Sequence, residues 1–444
     1  MMLATIEKSH VPVVELQEWG SASLADLELC DADRNLLSRW PEHWEQRLVI
    51  EELKSGIRVQ ASSWVGVIRL SSLEVRVQPK LAGEHLGLLK MLDYTSGLDA
   101  FRRLPGDSIP ELEGSNLFDL IAVLFAEACE QLIRRGLLSD YRQVEADLPV
   151  VRGRFLPAEQ FMKHYAVTSK LECRFDEQLS DIDENRIVFA ALSACRAHIS
   201  GDAVRSRISR LESLFAGICS KGLSLAEWPV NRLEYNRMNE HYRLPHELAF
   251  LILRGLSVSD IFAHGGVRCF AFLLDMNALF EQFVGRWLSN LLADTKFRLR
   301  VQHRDGSVLW DLTENKRYGS VRPDFLIRKP GFSEDSLPLD AKYKLYDEKR
   351  LIIGDVYQMF LYAHAFSGKS SNRTSRALLI YPSSDRTPKN LRLAVRSAAS
   401  KQESEIYTVG VHIPSVLAGA DSETRNLAAE EIRSILEKHF APDA

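Results

Sequence analysis

The sequence predicts a multidomain α/β protein: a β-rich N-terminal domain at 1–110, a helical middle region at 111–262 and a mixed α/β C-terminal domain at 263–444. Three observations predict it. At 444 residues the chain exceeds the roughly 250–300 residues at which a single hydrophobic core stops growing. The apolar period shifts from alternation to helical spacing near Ser115, and to mixed elements near Gly265 and Gly266. Composition is ordinary for a globular protein, with no internal repeat, low-complexity tract or charge block.

The first hundred residues read mostly as strands and turns. "WVGVIRLSSLEVRVQPKL" alternates apolar and polar residues on both sides of Ser71 and Ser72, which predicts a hairpin. Leu117, Leu120, Ile121, Leu124, Phe125, Ala128, Leu132 and Ile133 then recur at helical spacing. Ser115 and Asn116 offer an N-cap, and Gly136 a C-terminal stop. Helices follow at Asn185–Ile199 and Ala203–Cys219, with "DYRQVEADLPVVRGRF" left as a loop. In the third region Met276, Leu279, Phe280, Phe283, Val284, Trp287, Leu288, Leu291 and Leu292 mark a helix with a wide apolar face. Strand-like runs come at Phe297–Gln302, Val321–Ile327 and Leu337–Tyr343. A helix follows at Ile353–Ala365, strands at Ala377–Tyr381 and Ile406–Ile413, and a last helix at Ser422–His439. That order describes one mixed α/β domain.

Charge and cysteine usage exclude several classes. The net charge of -4 does not mark a nucleic-acid binder, but between Ala363 and Lys401 eight Lys/Arg stand against one acid, Asp385. A local basic stretch can follow phosphates on an acidic chain. Six scattered cysteines without a CxxC pair argue against a zinc ribbon or a disulfide framework. The N-terminus lacks a signal-peptide pattern, and Leu117–Leu138, the most apolar helical stretch, carries Asp119, Glu127 and Glu130. A reduced, cytoplasmic setting without membrane attachment is expected.

The chemistry concentrates in "SVRPDFLIRKPGFSEDSLPLDAKYKL", Ser320 to Leu345. Strand residues two apart face the same way, so Asp340 and Lys342 project together, and pairing of the two runs brings Asp324 beside them. Unpaired charge in a core is costly, and a salt-bridged pair of strands is the plain explanation. A hard divalent cation explains more. Mg²⁺ takes one or two carboxylates, keeps several waters and completes its shell with substrate phosphate. Asp324 and Asp340 would hold it, and Lys342 would face the attacking water or the scissile phosphate, the equipment for metal-assisted phosphodiester hydrolysis. Glu281 lies at the edge of the preceding helix's apolar stripe, from which it could join the carboxylates. Gln358 and Tyr362 share one face of the following helix at i and i+4. Alone, Glu281 reads as a solvating residue and Tyr362 as a half-buried amphipathic one. In the order helix, strand, strand, helix the six residues read as a catalytic site. "AHAFSGKS" fits a relaxed Walker A pattern but follows a helix and precedes a strand, the reverse of a phosphate loop.

That order of residues resembles the PD-(D/E)xK nuclease superfamily, with a Gln-xxx-Tyr helix like that of its RecB-type branch. "DMNALFEQFV", "VRPDFL", "LPLDAKYK" and "DVYQMFLYA" resemble the McrC family more closely, as do "VGVIRLSSLEVRVQPKL", "GLLSDYRQVEADLPVVRGRF" and "CRFDEQLSDIDENRIVFAAL" upstream. The resemblance implies a PD-(D/E)xK restriction-endonuclease-like C-terminal domain and an N-terminal docking domain. It also implies a Mg²⁺-dependent DNA endonuclease subunit of a 5-methylcytosine-directed McrBC-type restriction system. It assigns the metal carboxylates to Asp324, Asp340 and Glu281 and the catalytic lysine to Lys342. The implied partners are DNA and a separate McrB-type AAA+ GTPase that the subunit stimulates. A β-rich N-terminal extension without chemistry reads as the dock for it, with its hairpin as the contact, or else as a domain that merely packs against the helical centre. Two rival expectations stand beside it, a stand-alone RecB-type repair nuclease and a non-catalytic activator of an AAA+ partner.

Overall fold

The computed structural model describes residues 11–38, 40, 47–81, 84–96, 117–165, 169–199, 201–220, 233, 235–260, 270–331, 335–344, 346–366, 374–396, 403–418 and 427–441. The chain divides into two compact units. One combines residues 1–66, 71–102 and 273–444; the other combines 67–70 and 103–272. The expected split at 1–110, 111–262 and 263–444 thus takes a different form, because the strand-rich N-terminal segment shares a core with the C-terminal one. Tyr343 Oη donates to Glu18 Oε1 at 3.2 Å, Trp19 packs on the Tyr343 ring at 5.4 Å and Lys80 pairs with Glu348 at 2.8 Å.

The N-terminal elements are β1 (Val13–Gln17), β2 (Ser21–Ala25), α1 (Asp31–Leu37), β3 (Leu48–Leu53), β4 (Gly56–Ala61), β5 (Trp64–Arg69), β6 (Glu74–Gln78) and α2 (Glu84–Ser96). Strands β2, β4 and β3 form an antiparallel sheet in that order. In β4, Ile57, Val59 and Ala61 turn inward while Arg58 and Gln60 face out, the period-2 pattern of a half-buried strand. Gly56 has φ +142°, and a Cβ there would meet the Leu24 carbonyl oxygen at 1.8 Å, so the β3–β4 turn admits only glycine. Strand β1 runs parallel to β6, and β5 lies beside β6 as the expected hairpin. The hairpin turn is fastened. Buried Asp33 of α1 accepts from Ser71 N at 2.9 Å, Ser72 N at 2.8 Å and Ser72 Oγ at 2.5 Å.

The second unit holds α3 (Leu117–Arg135), β7 (Asp140–Leu148), β8 (Arg154–Phe155), α4 (Pro157–His164), β9 (Leu171–Leu179), α5 (Asp183–His198), α6 (Asp202–Ala216), a 3₁₀ turn at Glu240–Tyr242 and α7 (Arg243–Asp260). Helices α3, α5, α6 and α7 pack on one another. Gly136 ends α3 at φ +96°, as its position predicts; Ser115 and Asn116, the expected N-cap, lie outside the described residues. The helical reading of this region needs one correction. "DYRQVEADLPVVRGRF" contains β7 and β8, which flank β9 in a three-stranded antiparallel sheet. Strand β7 has no buried residue on either face, so it carries no apolar alternation to read.

The C-terminal elements are β10 (Phe270–Asp275), α8 (Met276–Leu292), β11 (Arg298–Val301), β12 (Asp305–Asp311), β13 (Lys316–Val321), β14 (Phe325–Arg328), β15 (Ser336–Ala341), α9 (Ile353–Phe366), β16 (Ser375–Pro382), β17 (Arg392–Arg396), β18 (Glu403–Val411), α10 (Ile413–Leu417) and α11 (Leu427–His439). Strand β10 closes the β1-β6-β5-β10 sheet. A six-stranded mixed sheet runs in the order β11-β14-β15-β16-β18-β17. Its central strands β15, β16 and β18 are parallel and almost wholly buried, as a strand covered on both faces must be. Helix α9 makes the crossover from β15 to β16 and packs on both. The run expected as one strand at Val321–Ile327 is divided: β13 ends at Val321 and β14 begins at Phe325. Pro323 supplies no N–H to a ladder and restricts Arg322 before it. Strands β12, β13 and β17 are further elements absent from the sequence reading.

Candidate active site

The β14–β15 register places the two aspartates opposite each other. Phe325 pairs with Leu339 across the antiparallel ladder, and one step further along that register sets Asp324 against Asp340. The turn before β14 is closed by the Asp324 side chain, whose Oδ2 accepts from Ala341 N at 2.8 Å. Beyond the end of β15, Lys342 N still donates to Ile380 O at 2.8 Å, so the chain stays extended and the two-residue period holds. Lys342 Nζ lies 2.7 Å from Asp340 Oδ2. The structure therefore brings Asp324, Asp340 and Lys342 together as their spacing predicts.

Glu281 joins the group from α8 through a residue that the sequence reading missed. Gln302 Nε2 donates to Glu281 Oε1 at 2.8 Å, and Gln302 N donates to Asp324 O at 2.6 Å. Gln302 sits in the left-handed region at φ +50°, which lets one residue turn its backbone toward Asp324 and its amide toward Glu281. Nothing in the local sequence announces that conformation.

Gln358 and Tyr362 do not reach the carboxylates through any described hydrogen bond. Tyr362 Oη donates to Arg322 O at 2.9 Å and accepts from Gln358 Nε2 at 2.8 Å. They brace the Arg322–Pro323–Asp324 turn from α9, with Tyr362 itself buried. Helix α9 also carries buried Asp355, which pairs with Lys344 Nζ at 2.7 Å and receives the Tyr346 hydroxyl. Lys344, one pleat beyond Lys342, is thus taken by Asp355.

The charges are held under strain. Burial raises the Asp324 carboxyl well above its ordinary range, and the neighbouring Asp340 and Glu281 charges push the same way. Asp340 is 1% exposed, and burial raises it too, against the pull of Lys342. Burial works against the Lys342 ammonium, but the Asp340 carboxylate beside it holds its pKa above the usual lysine range. Asp340 Oδ2 is buried, touches the Lys342 cation and accepts no aligned hydrogen bond among the described residues. A buried carboxylate oxygen in that state, facing a second carboxylate, suits a hard divalent cation with oxygen ligands. Asp324 and Asp340 could hold such an ion directly, with Glu281 at the rim.

In the basic stretch at 363–401 three of the described cations pair with acids of the sheet, while Arg386 and Lys389 are exposed. Arg376 Nε pairs with Glu405 Oε2 at 2.9 Å, Arg392 also pairs with Glu405, and Arg396 Nε pairs with Glu403 Oε1 at 3.3 Å. These are partners across β16, β18 and β17, so those three charges serve the sheet. Lys369, Arg373 and Lys401 lie outside the described residues, as does part of the "AHAFSGKS" stretch. No helix among the described residues is long and apolar enough to cross a membrane.

Comparison with known proteins finds similarity to restriction-system components. The family model described as McrBC 5-methylcytosine restriction system component matches residues 59–382. The Escherichia coli (strain K12) protein described as type IV methyl-directed restriction enzyme EcoKMcrBC is 23% identical over 311 residues, 68% of this chain and 86% of its own length. A chain of the refined half-complex from a tetradecameric assembly of Thermococcus gammatolerans McrB AAA+ hexamers with bound McrC aligns over 96% of this chain and 100% of that one. Its TM-score is 0.63 at 19% identity, which shows a shared mixed α/β fold.

Proposed function

Since the chain belongs to the McrBC 5-methylcytosine restriction system component family, we propose that it is the Mg²⁺-dependent DNA endonuclease subunit of such a system, with a PD-(D/E)xK C-terminal domain. The observation that carries this reading is the placement of Asp324 opposite Asp340, with Lys342 Nζ 2.7 Å from Asp340 Oδ2. A subunit that only activated a partner would have no use for two carboxylates whose pKa values burial raises, side by side in the sheet.

Asp324, Asp340 and Glu281 would hold Mg²⁺, which when bound supplies Lewis-acid polarisation of a phosphodiester and an activated water. The chain's own residues do the rest. Lys342 would offer its ammonium to the phosphate oxygens or the attacking water, where charge develops in the transition state. Gln302 fixes the distance between Glu281 and Asp324. Tyr362, itself held by Gln358, holds the Arg322 carbonyl and through it the Asp324 turn; both are positioning residues. The partner we propose is a McrB-type AAA+ GTPase, supported by the fold shared with a chain of the McrB–McrC half-complex. Its GTPase would be stimulated by this subunit.

The test is cleavage of methylated plasmid DNA by the full chain with its AAA+ partner, GTP and Mg²⁺. Asp340→Ala abolishes cleavage and leaves stimulation of the partner's GTPase unchanged. Lys342→Ala slows cleavage by about 10²–10³-fold with little change in Mg²⁺ affinity. Full cleavage by Asp340→Ala would remove the catalytic reading, while its retained GTPase stimulation would leave the partner reading standing.

A further inference from the structure

The second unit carries a cluster that the proposed nuclease does not use. Asp147 of β7 and Glu172 of β9 are directly paired residues of an antiparallel ladder. Like charges opposite each other on one sheet face repel. Here the face is covered, because α4 crosses it and Glu172 is 1% exposed. His164, the last residue of α4, points its Nε2 between the two carboxylates, 3.2 Å from Asp147 Oδ1 and 3.4 Å from Glu172 Oε1. One ligand atom from each of the three residues lies within 4.8 Å of the others.

The buried atoms of this cluster lack aligned hydrogen bonds. His164 Nε2, Glu172 Oε1 and Glu172 Oε2 are all buried without one among the described residues. Nε2 sits between the two carboxylates and makes an aligned hydrogen bond to neither, so it faces a centre shared by both. The spacings agree with that. A tetrahedral ion with bonds of about 2.0–2.1 Å separates neighbouring ligand atoms by about 3.3 Å. A cation already visits the site, since Lys163 Nζ lies 2.9 Å from Glu172 Oε1, but its side chain is 56% exposed and free to swing away. The frame is fixed independently: Gln160 of α4 donates to Lys170 O at 2.8 Å and accepts from Glu172 N at 2.7 Å.

We propose that Asp147, His164 and Glu172 bind a divalent ion of the zinc class that fastens α4 to the β7–β9 sheet. One nitrogen and two carboxylate oxygens are a borderline donor set that favours Zn²⁺ over Mg²⁺ or Ca²⁺. Three protein ligands leave one position for water.

The test uses the chelator-stripped full chain and Zn²⁺ alone, followed by calorimetry and by thermal melting. The unaltered chain and the Asp340→Ala chain each bind one Zn²⁺ and melt several degrees higher with it. His164→Ala and the near-isosteric Glu172→Gln, both checked for folding by circular dichroism, lose about 100-fold or more in affinity and lose the thermal gain. Equal Zn²⁺ binding by His164→Ala, or no saturable binding by the unaltered chain, would overturn the site. Loss of binding in Asp340→Ala with retention in His164→Ala would place the ion at the other carboxylates and overturn it as well.

Discussion

Glu18 shows how far a single residue can lean on its surroundings. It is 2% exposed, and burial pushes its carboxyl up to about 8 despite the opposing hydrogen bond from Tyr343. Between an ordinary pKa of 4.5 and about 8, the folded chain keeps a proton that the unfolded chain has lost. Stability from this group therefore falls as pH rises through that window, and the full cost stands above it. Glu18→Gln keeps an acceptor for Tyr343 and removes the charge. It should stabilise the chain by about 1–3 kcal/mol at pH 8.5 and by nothing at pH 4.5, well under the limit of ~1.4 kcal/mol per pKa unit because buried sites relax. Urea midpoints at the two pH values check this, and a gain independent of pH would refute it. Tyr362→Phe removes only the Oη that binds Arg322 O; it should cost about 1 kcal/mol and slow cleavage more than it weakens Mg²⁺ binding, read as rate against metal titration. Asp324, Asp340 and Lys342 could be found in the sequence because strand period groups Asp340 with Lys342 and pairing of the two runs adds Asp324. Gln302 could not, because its part depends on a left-handed backbone and on two contacts distant in sequence.

At the scale of elements, strong apolar periods were legible and polar edges were not. Helices α3, α5, α6, α8 and α9 fall within a few residues of their sequence readings, since each buries a broad stripe. Strands β7, β9, β12, β13 and β17 were missed because exposed or half-exposed faces erase the alternation. The β5–β6 hairpin was read correctly as a hairpin, but its turn was expected to be a free docking tip. Asp33 ties that turn to α1, burial opposing its ionisation while bonds from Ser72 and Ser71 hold its carboxylate below the usual range. Leu70 and Leu73 on either side are buried. Asp33→Ala should cost about 2–3 kcal/mol, because it leaves two backbone N–H groups without their acceptor; Ser72→Ala should cost about 1 kcal/mol. Equilibrium denaturation of the two variants checks the ranking. Deleting 69–74 would unseat core residues, so any partner surface here is better mapped by changes at exposed Ser71.

At the scale of the whole molecule, one unit is nearly contiguous at 103–272, while the other is assembled from 1–66, 71–102 and 273–444. A fragment spanning 103–272 should give a cooperative thermal melt by circular dichroism. A fragment spanning 273–444 should not, because Tyr343, which packs on Phe280, loses the ring of Trp19; a cooperative melt of the latter would show the N-terminal segment to be dispensable. The interleaved connectivity sets a timetable during synthesis. After residue 102 is made, the ribosome adds another 170 residues (272 minus 102) before the second half of that unit begins to appear. At about 5–20 residues per second that is a wait of about 10–30 s. Through that wait β1 to β6 have no C-terminal partner, and Glu281, Asp324, Asp340 and Lys342 do not yet exist. A chain that ended before Lys342 would lack the charged cluster, and on the proposed reading could not cut the DNA of the cell that made it.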